Sequence, residues 1–172
     1  MFNIVLLEPE IPANTGNIGR TCLATGSHLH LIEPMGFILN DKKLKRAGMD
    51  YWHELDITVY DSLADFFDKN KDALSKGARL WMATTKAQRV YSDACFRDGD
   101  FIMFGKESAG IPEDLLLENR EFCIRIPMAE NQRSLNLSNS AAVILYEALR
   151  QNDYLSLIAE GRFRNHSRRE IT

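Results

Sequence analysis

The sequence predicts an α/β fold, a mostly parallel sheet with helices on both faces. Short apolar, β-branched or aromatic runs alternate with helical segments along the chain. The loops that follow several of these runs are rich in Gly, Pro, Asn and Ser. The 172 residues are 45% hydrophobic and 26% charged, which suits one globular domain with a sizeable buried core.

Taken in order, Asn3 to Leu7 reads as a strand, followed by a Pro- and Gly-containing loop over Pro9 to Gly19 and a short helix from about Asn17 to Thr25. His28 to Ile32 alternates and ends at Glu33-Pro34, so it reads as a second strand. Asp41 to Gly48 is basic and predicted helical, and Ile57 to Tyr60 is a short β-branched run. Asp61-Ser62 can cap a helix over Leu63 to Lys69 or beyond. Strands follow at Arg79 to Thr84 and at Phe101 to Phe104, the latter running straight into Gly105. Pro112 to Glu118 forms a short helix with Pro near its first turn and acidic residues early. Phe122 to Ile126 is a strand stopped by Pro127, and Leu137 to Arg150 is a helix with no internal Gly or Pro.

Composition excludes several classes. Cys22, Cys95 and Cys123 are far apart, odd in number and without a CxxC pair, so neither a zinc ribbon nor a disulfide framework is expected and the thiols read as reduced. The apolar run at Ile4 to Leu7 is too short for a signal-peptide core, and no apolar stretch reaches membrane-spanning length. The net charge of −3 shows no basic excess, so an RNA partner would have to be held by local patches. After Gly161 the chain turns basic through Arg162, Arg164, Arg168 and Arg169, which reads equally as a solvated tail or an RNA contact. His28 and His30 alternate along one strand without a third ligand nearby, so no metal is expected. No Ser-His-Asp arrangement can be defended.

Ligands of α/β sheets bind beyond the carboxyl ends of the strands, and three loops there carry chemistry. Pro12 to Arg20 offers Asn14, Arg20 and glycines that allow close backbone approach; it also reads as a helix-capping loop with a surface arginine. Phe104 to Pro112 resembles a P-loop but fails as one. Gly99 stands one residue too far from Gly105-Lys106, and Glu107 occupies the Ser/Thr position. Glu107 there suits a cationic ligand, an arginine or a hydroxyl, or else a structural salt bridge. Ile126 to Ser140 crowds Ser134, Asn136, Ser138, Asn139 and Ser140 at the start of the last helix, more than capping requires.

Together, N-x-G-x-x-x-R at 14–20, F-G-x-E-x-x-G-I at 104–111, and I-P-M at 126–128 with S-L-N-L-S-N at 134–139 and Tyr146-Glu147 resemble the three motifs of the SPOUT superfamily of RNA methyltransferases. Within it the chain is similar to the small TrmL (YibK-like) type. Leu6 to Pro12, Ile32 to Phe37, Lys45 to Tyr51 and Thr84 to Lys86 add to the likeness, which reaches about residue 152.

The resemblance implies a SPOUT domain over residues 1–155 with a C-terminal trefoil knot, followed by a basic tail at 156–172. It implies a cytoplasmic homodimer that transfers methyl from S-adenosylmethionine, without a metal, to the ribose 2′-hydroxyl of wobble nucleotide 34 of tRNA, with leucine isoacceptors as the expected substrates. The cofactor would lie against Ala83, Thr84, Gly105, Ile126, Met128, Ser134 and Leu135. Arg20 would position the hydroxyl or the adjacent phosphate and stabilise developing charge, Glu107 would orient Arg20, and Asn14, Ser134 and Asn136 would complete the hydrogen-bonding set. Lys42, Lys43, Lys45, Arg46, Arg133 and the tail arginines are the candidate RNA contacts. A cofactor-binding RNA module with little catalysis, or a 2′-O-methyltransferase for another RNA position, would use the same residues. A nucleotide-dependent oxidoreductase is disfavoured, because no G-x-G-x-x-G follows the first strand.

Overall fold

The computed structural model describes residues 1–38, 52–154 and 157–161. The predicted basic helix with Lys42, Lys43, Lys45 and Arg46, and the tail arginines, lie outside these residues.

Seven strands, β1 (Asn3–Leu7), β2 (His28–Ile32), β3 (Ile57–Tyr60), β4 (Leu80–Ala83), β5 (Arg89–Val90), β6 (Phe101–Phe104) and β7 (Cys123–Arg125), form one sheet in the order β3-β2-β1-β6-β4-β7-β5. Every neighbouring pair is parallel. Two-sided burial explains why the central strands are continuously apolar. Ile4, Leu6, Ile102 and Phe104 enter one core, while Val5, Leu7, Phe101 and Met103 enter the other.

Helices α1 (Pro12–Thr25) and α4 (Leu137–Gln151) cover the first core through Ile18, Cys22, Ala141, Ile144, Leu145, Ala148 and Leu149. Helices α2 (Leu63–Ser75) and α3 (Glu113–Glu118) cover the second through Phe66 and Leu116. Ser62 caps α2 by accepting from the Asp65 amide, as its sequence position suggests. Burial pushes the Cys22 thiol up to about 12, and all three cysteines are free.

Two local expectations are corrected. Helix α1 begins at Pro12 rather than near Asn17, so residues 12–19 of the segment read as a loop are its first two turns, and only residues 9–11 precede it. Pro suits an N-terminal helical position because it has no amide to leave unbonded. Gly16 and Gly19 each weaken a helix by about 1 kcal/mol relative to Ala. Gly19 sits closely against its neighbours: a Cβ there would stand 2.9 Å from Leu55 Cδ1 and 3.2 Å from Trp52 Cζ3, so both side chains would have to give way. The two-residue strand β5 was not expected from sequence; only its pairing with β7 makes it a strand.

On β2, one strand in from the β3 edge, His28 and His30 stack at 4.2 Å between centroids. His28 meets Thr58 Oγ1 at 2.9 Å and Asp56 at 2.9 Å. His30 Nε2 lies 3.1 Å from Asn3 Oδ1 and Nδ1 lies 2.7 Å from the Tyr60 hydroxyl. With Asn3 Nδ2 donating to the Gly99 carbonyl, Asn3 Oδ1 only accepts, so Nε2 of His30 carries the proton and Nδ1 accepts from Tyr60. Burial, then the neighbouring His28, lowers the His30 pKa to about 3. These histidines are engaged by side chains of the sheet, and among the described residues no group of three or more His, Cys, Asp or Glu could hold a metal.

Candidate functional site

The strand order reverses direction between β1 and β6, and the crevice outside such a switch point is where α/β sheets bind ligands. A cavity of about 460 Å³ opens there, walled by the segments after β1, β4, β6 and β7 and by the start of α4. Among the residues predicted from sequence, Ala83, Thr84, Gly105, Ile126, Met128, Ser134, Leu135, Asn136, Asn14 and Glu107 line it. Arg20 is not in the lining. It stands on the exposed side of α1, six residues beyond Asn14. Arg133 is likewise exposed and outside the lining.

Asn14, Glu107 and Asn136 form one directional chain of hydrogen bonds. A carboxylate only accepts, so Asn14 must turn its amide nitrogen to Glu107 Oε1, at 2.9 Å. That leaves Asn14 Oδ1 to accept from Asn136 Nδ2 at 2.9 Å. Asn136 Oδ1 is then free to cap α4, accepting from the Ser138 amide at 2.9 Å, the Asn139 amide at 3.3 Å and the Ser138 hydroxyl at 2.6 Å. One carboxylate thus sets the orientation of two amides and the start of the last helix. Asn14 is only 5% exposed, so an unmade bond here is costly.

Glu107 also accepts from the Glu10 amide at 2.9 Å and the Ile11 amide at 3.3 Å. Among the described residues its carboxylate accepts from Glu10, Ile11 and Asn14. Through these bonds Glu107 fixes the start of α1, the helix that carries Arg20.

A latch that sequence reasoning missed ties the same two loops. Glu8 accepts from Lys106 Nζ at 2.7 Å, and Glu10 accepts from the Ser108 amide and hydroxyl, each at 2.8 Å. The hydroxyl and then the amide of Ser108 lower the Glu10 pKa, while the bond to Glu8 raises that of Lys106. Glu8 adopts φ 49°, a left-handed conformation that costs a non-glycine residue roughly 1–2 kcal/mol. The acidic pair flanking Pro9 was the only sequence signal for this latch. Gly105 completes the loop, since a Cβ on it would collide with the backbone of Gly110 and Ile111.

Ile111, Ile124, Ile126, Leu135 and Ile144 give the cavity an apolar side, and Lys86, Lys106 and Glu107 bring both signs of charge to it. The arrangement suits a ligand with a flat apolar part and a zwitterionic part.

Known proteins share this framework. A protein of Listeria innocua serovar 6a that provisionally carries the name tRNA (cytidine(34)-2′-O)-methyltransferase is 52% identical over 161 residues, 92% of each chain. The Escherichia coli K12 protein with that name is 46% identical over 155 residues, covering 90% of this chain and 96% of its own. A solved structure concerned with 2-OH methylation of C/U34 on tRNA superposes with a TM-score of 0.79 at 45% identity, covering 89% of this chain and 97% of that one. The SpoU methyltransferase AviRb of Streptomyces viridochromogenes, solved in complex with the cofactor AdoMet, superposes with a TM-score of 0.76 at 25% identity, over 88% of this chain and 57% of that one. Residues 1–146 match the SpoU rRNA Methylase family, and the chain belongs to that family.

Proposed function

We propose that the chain transfers a methyl group from S-adenosylmethionine to the ribose 2′-hydroxyl of nucleotide 34, a cytidine or uridine, of tRNA, with leucine isoacceptors among its substrates. The observation that carries this reading is the switch-point cavity, where three motif-bearing segments meet around an apolar wall and charges of both signs. The names of relatives 46–52% identical over about nine-tenths of the chain support the substrate.

The residues present fit the methyl donor. The isoleucines and Leu135 suit its adenine, and Lys86, Lys106 and Glu107 suit its amino-acid zwitterion. When bound it supplies an electrophilic methyl on a sulfonium. Arg20, permanently charged, positions the hydroxyl or a neighbouring phosphate and stabilises negative charge on the oxygen. Asn14, Asn136 and Glu107 act by holding α1 and α4 in register, and Ser134 adds a hydroxyl at the rim. Holding the reacting groups in line supplies up to roughly 7–11 kcal/mol of the barrier reduction.

A homodimer, a trefoil knot formed by the segment leading into α4, a domain boundary near residue 155 and a cytoplasmic location belong to the same proposal. The dimer is supported by apolar side chains left 39–46% exposed: Ile11 and Leu135 in the cavity lining, and Val143 and Tyr146 on α4. Among the described residues no helix is long and apolar enough to cross a membrane.

The test is transfer from labelled S-adenosylmethionine to tRNA lacking the modification, followed by nucleoside digestion. The expected product is 2′-O-methylcytidine or 2′-O-methyluridine from position 34. The Arg20→Ala variant is expected to lose transfer while still binding the cofactor. Label in a base, or none in any tRNA, refutes the reading.

A further inference from the structure

A second cavity, of about 430 Å³, opens on the other side of the segment that follows β4, sharing Thr84 and Lys86 with the first. Its opposite wall is one stripe of α3 and the turn beyond it: Glu113, Leu116, Leu117 and Arg120, spaced i, i+3, i+4, i+7. The acidic Asp114 and Glu118 fall off this stripe and are not in the lining. Lys86 and Glu113 pair across the cavity at 3.4 Å, which leaves Arg89 and Arg120 as a surplus of two positive charges in a chain whose net charge is −3.

Arg89 is held in place. Its Nη1 donates to the Glu121 carbonyl at 2.8 Å, and its guanidinium lies 5.8 Å from the ring of buried Trp81. Neither restraint neutralises it, and among the described residues neither Arg89 nor Arg120 is paired with a carboxylate. A preorganised guanidinium with donors to spare, a second exposed one nearby and a leucine-lined floor match a nucleotide. The forked donors suit its phosphate and the apolar floor suits its base.

We propose that this second cavity seats one nucleotide of the RNA substrate that flanks the methylated one, with its phosphate on Arg89 and Arg120 and its base against Leu116 and Leu117. The shared wall at Thr84 and Lys86 sets the second cavity directly beside the cofactor cavity, to which the methylated nucleotide must come. The inference rests on the RNA-methyltransferase reading above and assigns the second cavity a part in substrate binding.

The experiment measures binding of an unmodified tRNA transcript, and of its isolated anticodon stem–loop, across a KCl series for the wild type, R120E and R89A/R120A. Cofactor affinity serves as the folding control. Among the described residues the Arg120 side chain makes no hydrogen bond or ion pair, so R120E tests the idea even if loss of Arg89 disturbs Trp81. The expected result is a roughly 10-fold weaker Kd for both RNAs at unchanged cofactor affinity. The double variant should also flatten the log–log salt slope by about 1.4, as two lost single-strand phosphate contacts imply. Wild-type affinity and slope in R120E and the double variant would overturn the proposal. So would an effect on whole tRNA that vanishes with the stem–loop. Methyl transfer by the wild type reports separately on the reading beneath it: a chain that binds RNA through these arginines but methylates no tRNA fails that reading alone.

Discussion

Replacing Asn136 by Asp separates the two tasks of that side chain. A carboxylate at 136 still caps α4, because the Ser138 and Asn139 amides need only an acceptor. Its charge at a helix N-terminus even adds about 0.3–1 kcal/mol. The other oxygen, however, replaces the nitrogen that donates to Asn14 Oδ1 at 2.9 Å, setting acceptor against acceptor. Turning the Asn14 amide only moves the conflict to Glu107, whose carboxylate then faces Asn14 Oδ1. Asn14 is nearly buried, and an unsatisfied acceptor there costs about 1–3 kcal/mol. Against the gain at the cap, the net loss is about 1–2 kcal/mol, or roughly 2–8 °C in Tm for a domain of this size. Thermal unfolding at neutral pH reads the stability, and methyl transfer at saturating cofactor reads the site, where kcat is expected to fall. Asn136→Asp that unfolds at or above the wild-type temperature with undiminished kcat would refute the directional chain.

Other outcomes follow from the same structure. His30 is neutral when folded, with a pKa lowered from the ordinary 6.5 to about 3. The unfolded chain therefore binds a proton there first, and the stability His30 contributes is fully present above pH 6.5 and lost as pH falls toward 3. The loss is about 2 kcal/mol at pH 5, and His30→Gln should flatten this part of a urea-denaturation series against pH. Gly105→Ala forces the 105–110 loop apart, so cofactor affinity measured by calorimetry should fall at least ~10-fold and stability by about 1–3 kcal/mol. Ser62→Ala removes the cap of α2, far from the cavity; it should lower Tm by about 2–4 °C, equivalent to ~1 kcal/mol, and leave transfer unchanged.

The sequence by itself determined the alternation of strands and helices, the cap at Ser62 and the three segments that meet at the cavity, though one of them, read as loop, is helical. Each is written in residues close along the chain: a period of apolar side chains, a Ser before a helix, a cluster of Gly, Asn and Ser after a strand. Family likeness, carried by the order and spacing of three motifs, was legible for the same reason.

Tertiary structure decided the rest. Asn14 and Asn136 lie 122 positions apart, and Glu8 and Lys106 lie 98 apart, so no local pattern specifies either bond. Helix α1 runs through two glycines that read as loop, and Gly19 packs closely against Trp52 and Leu55, more than thirty positions away. Strand β5 exists only through its ladder with β7. Glu107 was recognisable as a carboxylate in a candidate loop, but its partners were not. Hydrogen bonds are satisfied by whatever the fold brings within about 3 Å, and which donors those are is fixed by the packing of the parallel sheet and its covering helices, not by proximity in the chain.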